Sequence, residues 1–227
     1  MLEILHEDAA LLAVAKPPGR LVIPGRGTAE RTIQAELEEG FGRLWVVHRL
    51  DRGTSGVLLL ARSAAAHRAV NLAFDRREVG KRYLAFVRGA LPDVLRVEAA
   101  LAPARKGRVR VARPGEPRAK EAATAFRVRE RFARAEVTAL VEATPETGRT
   151  HQIRVHLAHA GAPLCLDPDY GPRQPLRDAT GATLLDRTPL HAAALELDHP
   201  VTGARLRLEA PLPDDLLRLL DWARGAG

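Results

Sequence analysis

Short segments with the period of a β-strand recur along the whole chain and limit the architectures open to it. They are LLAVA (11–15), VLLLA (57–61), YLAFV (83–87), RVRVA (108–112), EVTALVEA (136–143) and ARLRLEA (204–210). Several alternate apolar with polar residues, as half-buried strands do. Helical patterns lie between them. Thr28 to Glu39 runs up to Gly40 as a stop, and Ser63 opens an Ala-rich stretch that reaches about Val79. Thr150 to Ala160 is stopped by Gly161 and Pro163, and Pro213 to Ala223 reads as a C-terminal amphipathic helix. Strands outnumber helices and come in clusters, which predicts an α+β fold with a mixed or largely antiparallel sheet. No repeat or long linker interrupts the chain, so residues 1–227 read as one domain. The strand-poor stretch from Pro172 to Pro189 reads as a long surface loop.

Charge narrows the partners. The chain carries a net +7, and 101–120 (LAPARKGRVRVARPGEPRAK) holds seven cationic side chains against Glu116 alone. Such a concentration points to a polyanion, and to phosphate tracking in particular. In RVRVA, alternation places Arg108 and Arg110 on one strand face and Val109 and Val111 on the other. The other reading of this segment is a solvated edge strand whose charges prevent aggregation. The single cysteine, Cys165, excludes an intramolecular disulfide and a Cys-based zinc site, and suits a reducing cytosol. No apolar run approaches the roughly 18 residues that span a bilayer. The opening MLEILHEDAALL carries acids early and lacks the order of a signal peptide. The expectation is a soluble cytoplasmic protein with no membrane partner.

Three segments carry residues suited to chemistry. In VVHRLDRGTSGVLLLA (46–61), Asp51 lies in a charged loop between apolar segments, flanked by Arg49 and Arg52. It is either an ion pair that pins a turn or a carboxylate kept charged for nucleophilic catalysis. In KRYLAFVRG (81–89), alternation sends Tyr83, Ala85 and Val87 to one face, where Tyr83 could pack, stack under a planar base or assist a proton transfer. In TGRTHQIRVHLAHAG (147–161), a helix with Thr150 as N-cap would put His151 and Arg154 on one face and deliver a guanidinium near its start. His151, His156 and His159 do not have the spacing of paired-His zinc helices, and no metal is expected.

The segments HRLDRGTSG, KRYLAFVRG, TGRTHQIRVHLAHAGAPLCLDPDYG and PLHAAALELDHPVTGARLRLEAPLP occur in the order seen in the RluA family of pseudouridine synthases, and the chain resembles that family from about residue 3 to residue 217. ILHEDAALLAVAKPPGRLVIPG is similar to the family's opening strand and Lys-Pro-x-Gly turn. The resemblance implies a bent, mixed and largely antiparallel sheet flanked by helices and loops, with a central catalytic cleft. It implies isomerisation of uridine in structured RNA, a ribosomal RNA stem-loop or a tRNA, by a monomer that needs no cofactor and no obligatory protein partner. Asp51 matches the aspartate that attacks the target uridine. Tyr83 matches the tyrosine that stacks on the base and assists proton removal. Arg154 matches the arginine that pairs with the aspartate and keeps it charged and oriented, and Arg49 the residue that enters the RNA helix where the flipped base has left. Flipping costs a few kcal/mol of stacking and pairing, which such a guest offsets. Many relatives carry a small S4 RNA-binding domain before the catalytic strand. None precedes it in this sequence, so the expectation is that the basic segment, with Arg105, Lys106, Arg108 and Arg110, supplies RNA affinity. Leu166 stands where the family has Gly before Asp167, which implies a different local backbone in a structural turn.

Two other functions compete. One is an RNA-binding or RNA-folding module of the same fold that has lost its chemistry, disfavoured because Asp51, Tyr83 and Arg154 are all in place. The other is a carboxylate hydrolase, which would want a second carboxylate that the motifs do not supply.

Overall fold

In the computed structural model, which describes residues 2–25 and 29–225 and, for Lys106, the backbone alone, the two apolar runs 11–15 and 57–61 lie side by side. The chain divides into two compact units, Met1–Lys81 with His191–Leu212, and Arg82–Leu190 with Pro213–Gly227. In chain order the strands are β1 (Glu3–Glu7), β2 (Leu11–Lys16), β3 (Trp45–Val46), β4 (Ser55–Ala61), β5 (Gly80–Val87), β6 (Val94–Glu98) and β7 (Leu101–Pro103). They continue with β8 (Val109–Val111), β9 (Ala123–Arg131), β10 (Ala139–Pro145), β11 (Leu176–Arg177), β12 (Thr183–Leu185), β13 (Leu190–Asp198) and β14 (Arg205–Glu209). The helices are α1 (Ile33–Phe41), α2 (Ala64–Asp75), α3 (Gln152–His159) and α4 (Asp214–Arg224). The class is α+β with mostly antiparallel strands, as the sequence predicts.

In the first unit β2 runs antiparallel to β4 over its whole length, from Leu11 opposite Ala61 to Lys16 opposite Gly56. Both are buried on both faces, which is why their sequences are unbroken apolar runs. Leu11, Ala13, Val57 and Leu59 pack with Ala66 and Val70 of α2. Leu12, Val14, Leu58 and Leu60 pack with Ile33 and Leu37 of α1 on the opposite face. A fully buried Leu contributes about 1.5–3 kcal/mol, so this three-layer packing is the main support of the unit. The free edge of β4 is shared by β3 near Ala61 and by β13, which runs parallel to it at His191 and Ala192. Gly56 is required there: a Cβ on it would stand 2.2 Å from the Ala192 carbonyl oxygen, and its φ is +117°.

In the second unit β5, β10, β9 and β6 follow one another antiparallel. Tyr83, Ala85 and Val87 share the face that packs with Val141, Ala143, Ile153 and Leu157, while Phe86 is buried on the other. The alternation read in KRYLAFVRG therefore holds.

Element boundaries depart from the sequence reading in several places. The first helix is capped by Thr32, whose hydroxyl accepts from Ala35 N, and closes at Gly42 rather than Gly40; Thr28 lies outside the described residues. The Ser63 cap is as expected, but α2 ends at Asp75 because Arg77 takes a left-handed φ of 61°. Arg77 N and Glu78 N then bond back to Phe74 O and Ala73 O, a Schellman closure. EVTALVEA becomes strand only from Ala139. The stretch 172–189 contains the β11–β12 hairpin, with Leu176 and Leu185 buried, and is not wholly loop.

Candidate active site

The Asp51 loop is built from both ends. Val47 and Leu50 are buried and fix it to the core. His48 Nε2 accepts the Leu59 backbone N–H at 3.0 Å, and its ring lies 5.5 Å from that of Phe74. Burial and the nearby Lys81 ammonium hold the His48 pKa down to about 4, so the ring is neutral and free to accept. After Asp51, the Asp51 carbonyl closes a turn with Thr54 N at 3.0 Å. The Lys16 ammonium, in a residue only 1% exposed, donates to the carbonyls of Pro17 (2.9 Å), Arg52 (3.3 Å) and Thr54 (2.8 Å). Gly19 N donates to Arg52 O, and Arg52 Nε returns a bond to Gly19 O. The Lys-Pro-x-Gly turn is thus laced to the loop carrying the candidate nucleophile.

The flanking cations divide by role. Arg52 pairs with Glu30 at 3.1 Å besides its bond to Gly19, and belongs to the clamp. Arg49 is exposed and makes no hydrogen bond or ion pair among the described residues. Asp51 is half-buried, and its backbone carbonyl serves the turn. Beyond it, Ser55 Oγ meets His191 Nδ1 at 3.0 Å, and His191 Nε2 donates to Ala210 O at 3.1 Å, tying β4 to the end of β14.

In the second unit the RTHQIRVH segment is used residue by residue. Thr150 is not the cap. The helix starts at Gln152 after His151, which adopts φ 54° and ψ 17°. The turn before it is held instead by the Gln152 amide. Its oxygen accepts from Thr147 Oγ1 (2.6 Å) and Arg149 N (3.0 Å), and its nitrogen donates to Ala123 O (2.9 Å) and Thr124 Oγ1 (3.0 Å). All four hydrogen-bonding positions of that amide are filled. One turn on, His156 is buried, with Nδ1 on Thr124 Oγ1 and Nε2 donating to Ala99 O; burial lowers its pKa and keeps it neutral. His151 therefore caps the helix and, like Arg154, meets Tyr170. Its Nδ1 meets Tyr170 Oη at 2.8 Å.

Arg154 is 6% exposed. Its Nε and Nη2 make a bidentate pair with Asp167 at 2.8 and 2.7 Å, Nη2 also reaches Asp169 at 3.0 Å, and the guanidinium carbon lies 5.0 Å from the Tyr170 ring centre. Asp167 is fully buried and also accepts from Asp169 N and Tyr170 N. The DPDY turn is therefore what orients the arginine. Sequence reasoning set it aside as structural; the signal it missed is an acid-x-acid pair following an arginine helix. Leu166, in the position of the family's Gly, is buried and has no left-handed φ.

Tyr83 is half-buried near the middle of β5, opposite Ala143. In the basic segment, β8 pairs with β7, and Val109 and Val111 face the small core of Leu101, Ala122 and Val155 as alternation predicts. Two of its arginines are already engaged. Arg108 Nε bonds Asp169 at 2.7 Å, and Arg110 makes a bidentate pair with Glu116, whose pKa its hydrogen bonds lower. Arg105 is exposed in the short turn 105–107; the Lys106 side chain lies outside the described part. Among the described residues, no group of three His, Cys, Asp or Glu side chains comes together to hold a metal, and no helix is long and apolar enough to cross a membrane.

Residues 10–159 match the model of the RNA pseudouridylate synthase family. Ribosomal large subunit pseudouridine synthase C of Escherichia coli K12 is 42% identical over 98% of this chain and 70% of its own length. Ribosomal large subunit pseudouridine synthase D of Xanthomonas campestris is 40% identical over the same shares. Among solved structures, human RNA pseudouridylate synthase domain containing 4 superimposes with a TM-score of 0.75 at 27% identity, covering 98% of this chain and 93% of that one. With the Asp51, Tyr83 and Arg154 motifs all present along a matched fold, the chain belongs to the RluA family of RNA pseudouridine synthases.

Proposed function

We propose that this enzyme isomerises uridine in large-subunit ribosomal RNA, with Asp51 as nucleophile. The carrying observation is the joint presence of HRLDRGTSG and RTHQIRVH in a chain about 40% identical, nearly end to end, to large-subunit rRNA synthases. The net change exchanges the bond from uracil N1 to the sugar C1′ for one from C5 to C1′. C5 loses a proton and N1 gains one, so atoms balance without oxidant, reductant or cofactor. Attack by Asp51 on the ring or on the sugar carbon leads to the same product. Tyr83 stacks on the base and assists loss of the C5 proton, and Arg154 keeps the nucleophile charged and oriented. Arg49, exposed and unpaired, fills the gap left by the flipped base.

RNA affinity is assigned to the basic segment. Arg105 offers its charge directly, with Lys106 beside it in sequence, whereas Arg108 and Arg110 must exchange Asp169 and Glu116 for phosphate. The enzyme acts as a cytoplasmic monomer. The test maps pseudouridines across ribosomal and transfer RNA from cells with and without the protein. Loss of one or more large-subunit positions is expected. A change confined to tRNA would contradict the target, and no change at all would contradict the activity.

A further inference from the structure

Asp169 and Tyr170 each have one contact on Arg154 and another on the basic hairpin. Asp169 Oδ2 accepts from Arg154 Nη2 at 3.0 Å, while its Oδ1 forms an ion pair with Arg108 Nε at 2.7 Å. The Tyr170 ring lies 5.0 Å from the Arg154 guanidinium carbon, while its hydroxyl accepts the Val109 N–H at 3.1 Å and meets His151 at 2.8 Å. Both links end on neighbouring residues, Arg108 and Val109, at the start of β8. Burial pushes the Asp169 carboxyl up, but the hydrogen bond from Arg154 and the charges of Arg154 and Arg108 outweigh it, and its pKa lies below the usual range. It is therefore ionised between the two guanidinia.

We propose that Asp169 and Tyr170 are positioning residues that couple the β7–β8 hairpin to Arg154, so that the hairpin's hold on RNA sets the orientation of the catalytic arginine. The inference rests on the role given to Arg154 above. Arg108 fixes one oxygen of Asp169 and thereby sets where the other meets Arg154. Asp167 alone cannot report on the hairpin, because among the described residues its bonds run only to Arg154 and to its own turn. The double link supplies what Asp167 lacks: a route from the basic hairpin to the arginine given a catalytic role above.

The test separates kcat from RNA affinity on an unmodified transcript of the large-subunit ribosomal RNA, for Asp169→Asn, Arg108→Ala, the double variant and Tyr170→Phe. Loss of a charge-assisted hydrogen bond to a catalytic group predicts a fall in kcat of about tenfold for Asp169→Asn, with RNA affinity within about twofold of wild type. Arg108→Ala should lower kcat as well as affinity, and in the Asp169→Asn background it should lower kcat no further. Tyr170→Phe keeps the ring beside Arg154 and removes the hydroxyl; a fall in kcat at unchanged thermal stability is expected. Arg108→Ala changing affinity alone, or kcat effects that multiply in the double variant, would overturn the coupling. Full activity of Asp51→Asn would instead remove the underlying catalytic reading, a separate outcome.

Discussion

Asp167→Ala removes the carboxylate that grips Arg154, and the structure sets the size of the penalty. Asp167 is fully buried and accepts four hydrogen bonds, two from the guanidinium at 2.7 and 2.8 Å and two from the backbone N–H groups of Asp169 and Tyr170 at 3.0 and 3.3 Å. Breaking a buried ion pair from one side costs about 3–5 kcal/mol, because the remaining charge stays out of water. Arg154 keeps its contact with Asp169, which places the expectation near the lower end, about 3 kcal/mol. For a chain of this length that is a fall in Tm of roughly 6–12 °C. Asp167→Asn keeps an oxygen for the backbone donors but loses the charge, and should lie between alanine and wild type. The exposed pair of Asp93 and Arg131 is the internal control, since Asp93 is 85% exposed; Asp93→Ala should change stability by less than about 1 kcal/mol. Thermal and urea unfolding measure all three variants. Asp167→Ala with a Tm within 2 °C (roughly 1 kcal/mol) of wild type would refute the idea that this turn holds the arginine.

Three other perturbations follow from the loop around Asp51. Lys16→Met leaves three carbonyls without their ammonium and should lower stability by about 2–4 kcal/mol in urea unfolding, with activity falling in parallel; an unchanged midpoint would show that the clamp is dispensable. His48 is neutral in the fold, with a pKa near 4 against an ordinary 6.5, so the unfolded chain binds the extra proton first and stability falls as pH drops from about 6.5 to 4. His48→Gln retains an acceptor for Leu59 N–H and should flatten that part of the stability profile; an identical slope in the variant would exclude His48 as its source. Gly56→Ala forces a Cβ to 2.2 Å from a backbone oxygen at positive φ, and should destabilise by roughly 3 kcal/mol or leave the protein insoluble; wild-type stability would mean that β13 yields freely.

Much of this was legible in the sequence because burial writes itself into composition. The runs LLAVA and VLLLA are unbroken because two helices cover both faces of β2 and β4, and the alternation in KRYLAFVRG reports a strand with one face on a core. β13 escaped notice because LHAAALELD is rich in alanine, a weak strand former, and is held in the sheet by its neighbours rather than by propensity. The start of α3 was misplaced for a related reason. Thr150 looks like a cap, but the Gln152 amide satisfies the turn from inside the helix, and His151 takes the left-handed conformation that local rules give to Gly or Asn. The carboxylates that hold Arg154 and Arg108 come from one turn more than ten residues downstream of Arg154, and spacing alone does not bring them together.

Pseudouridine formation by Asp51→Asn on the large-subunit transcript bears most directly on the assignment of the nucleophile. Because the loop is held by Lys16, His48 and backbone bonds, the variant should fold and bind RNA within about twofold of wild type, yet form no product. Product at the wild-type rate from a folded, RNA-binding Asp51→Asn enzyme would contradict it.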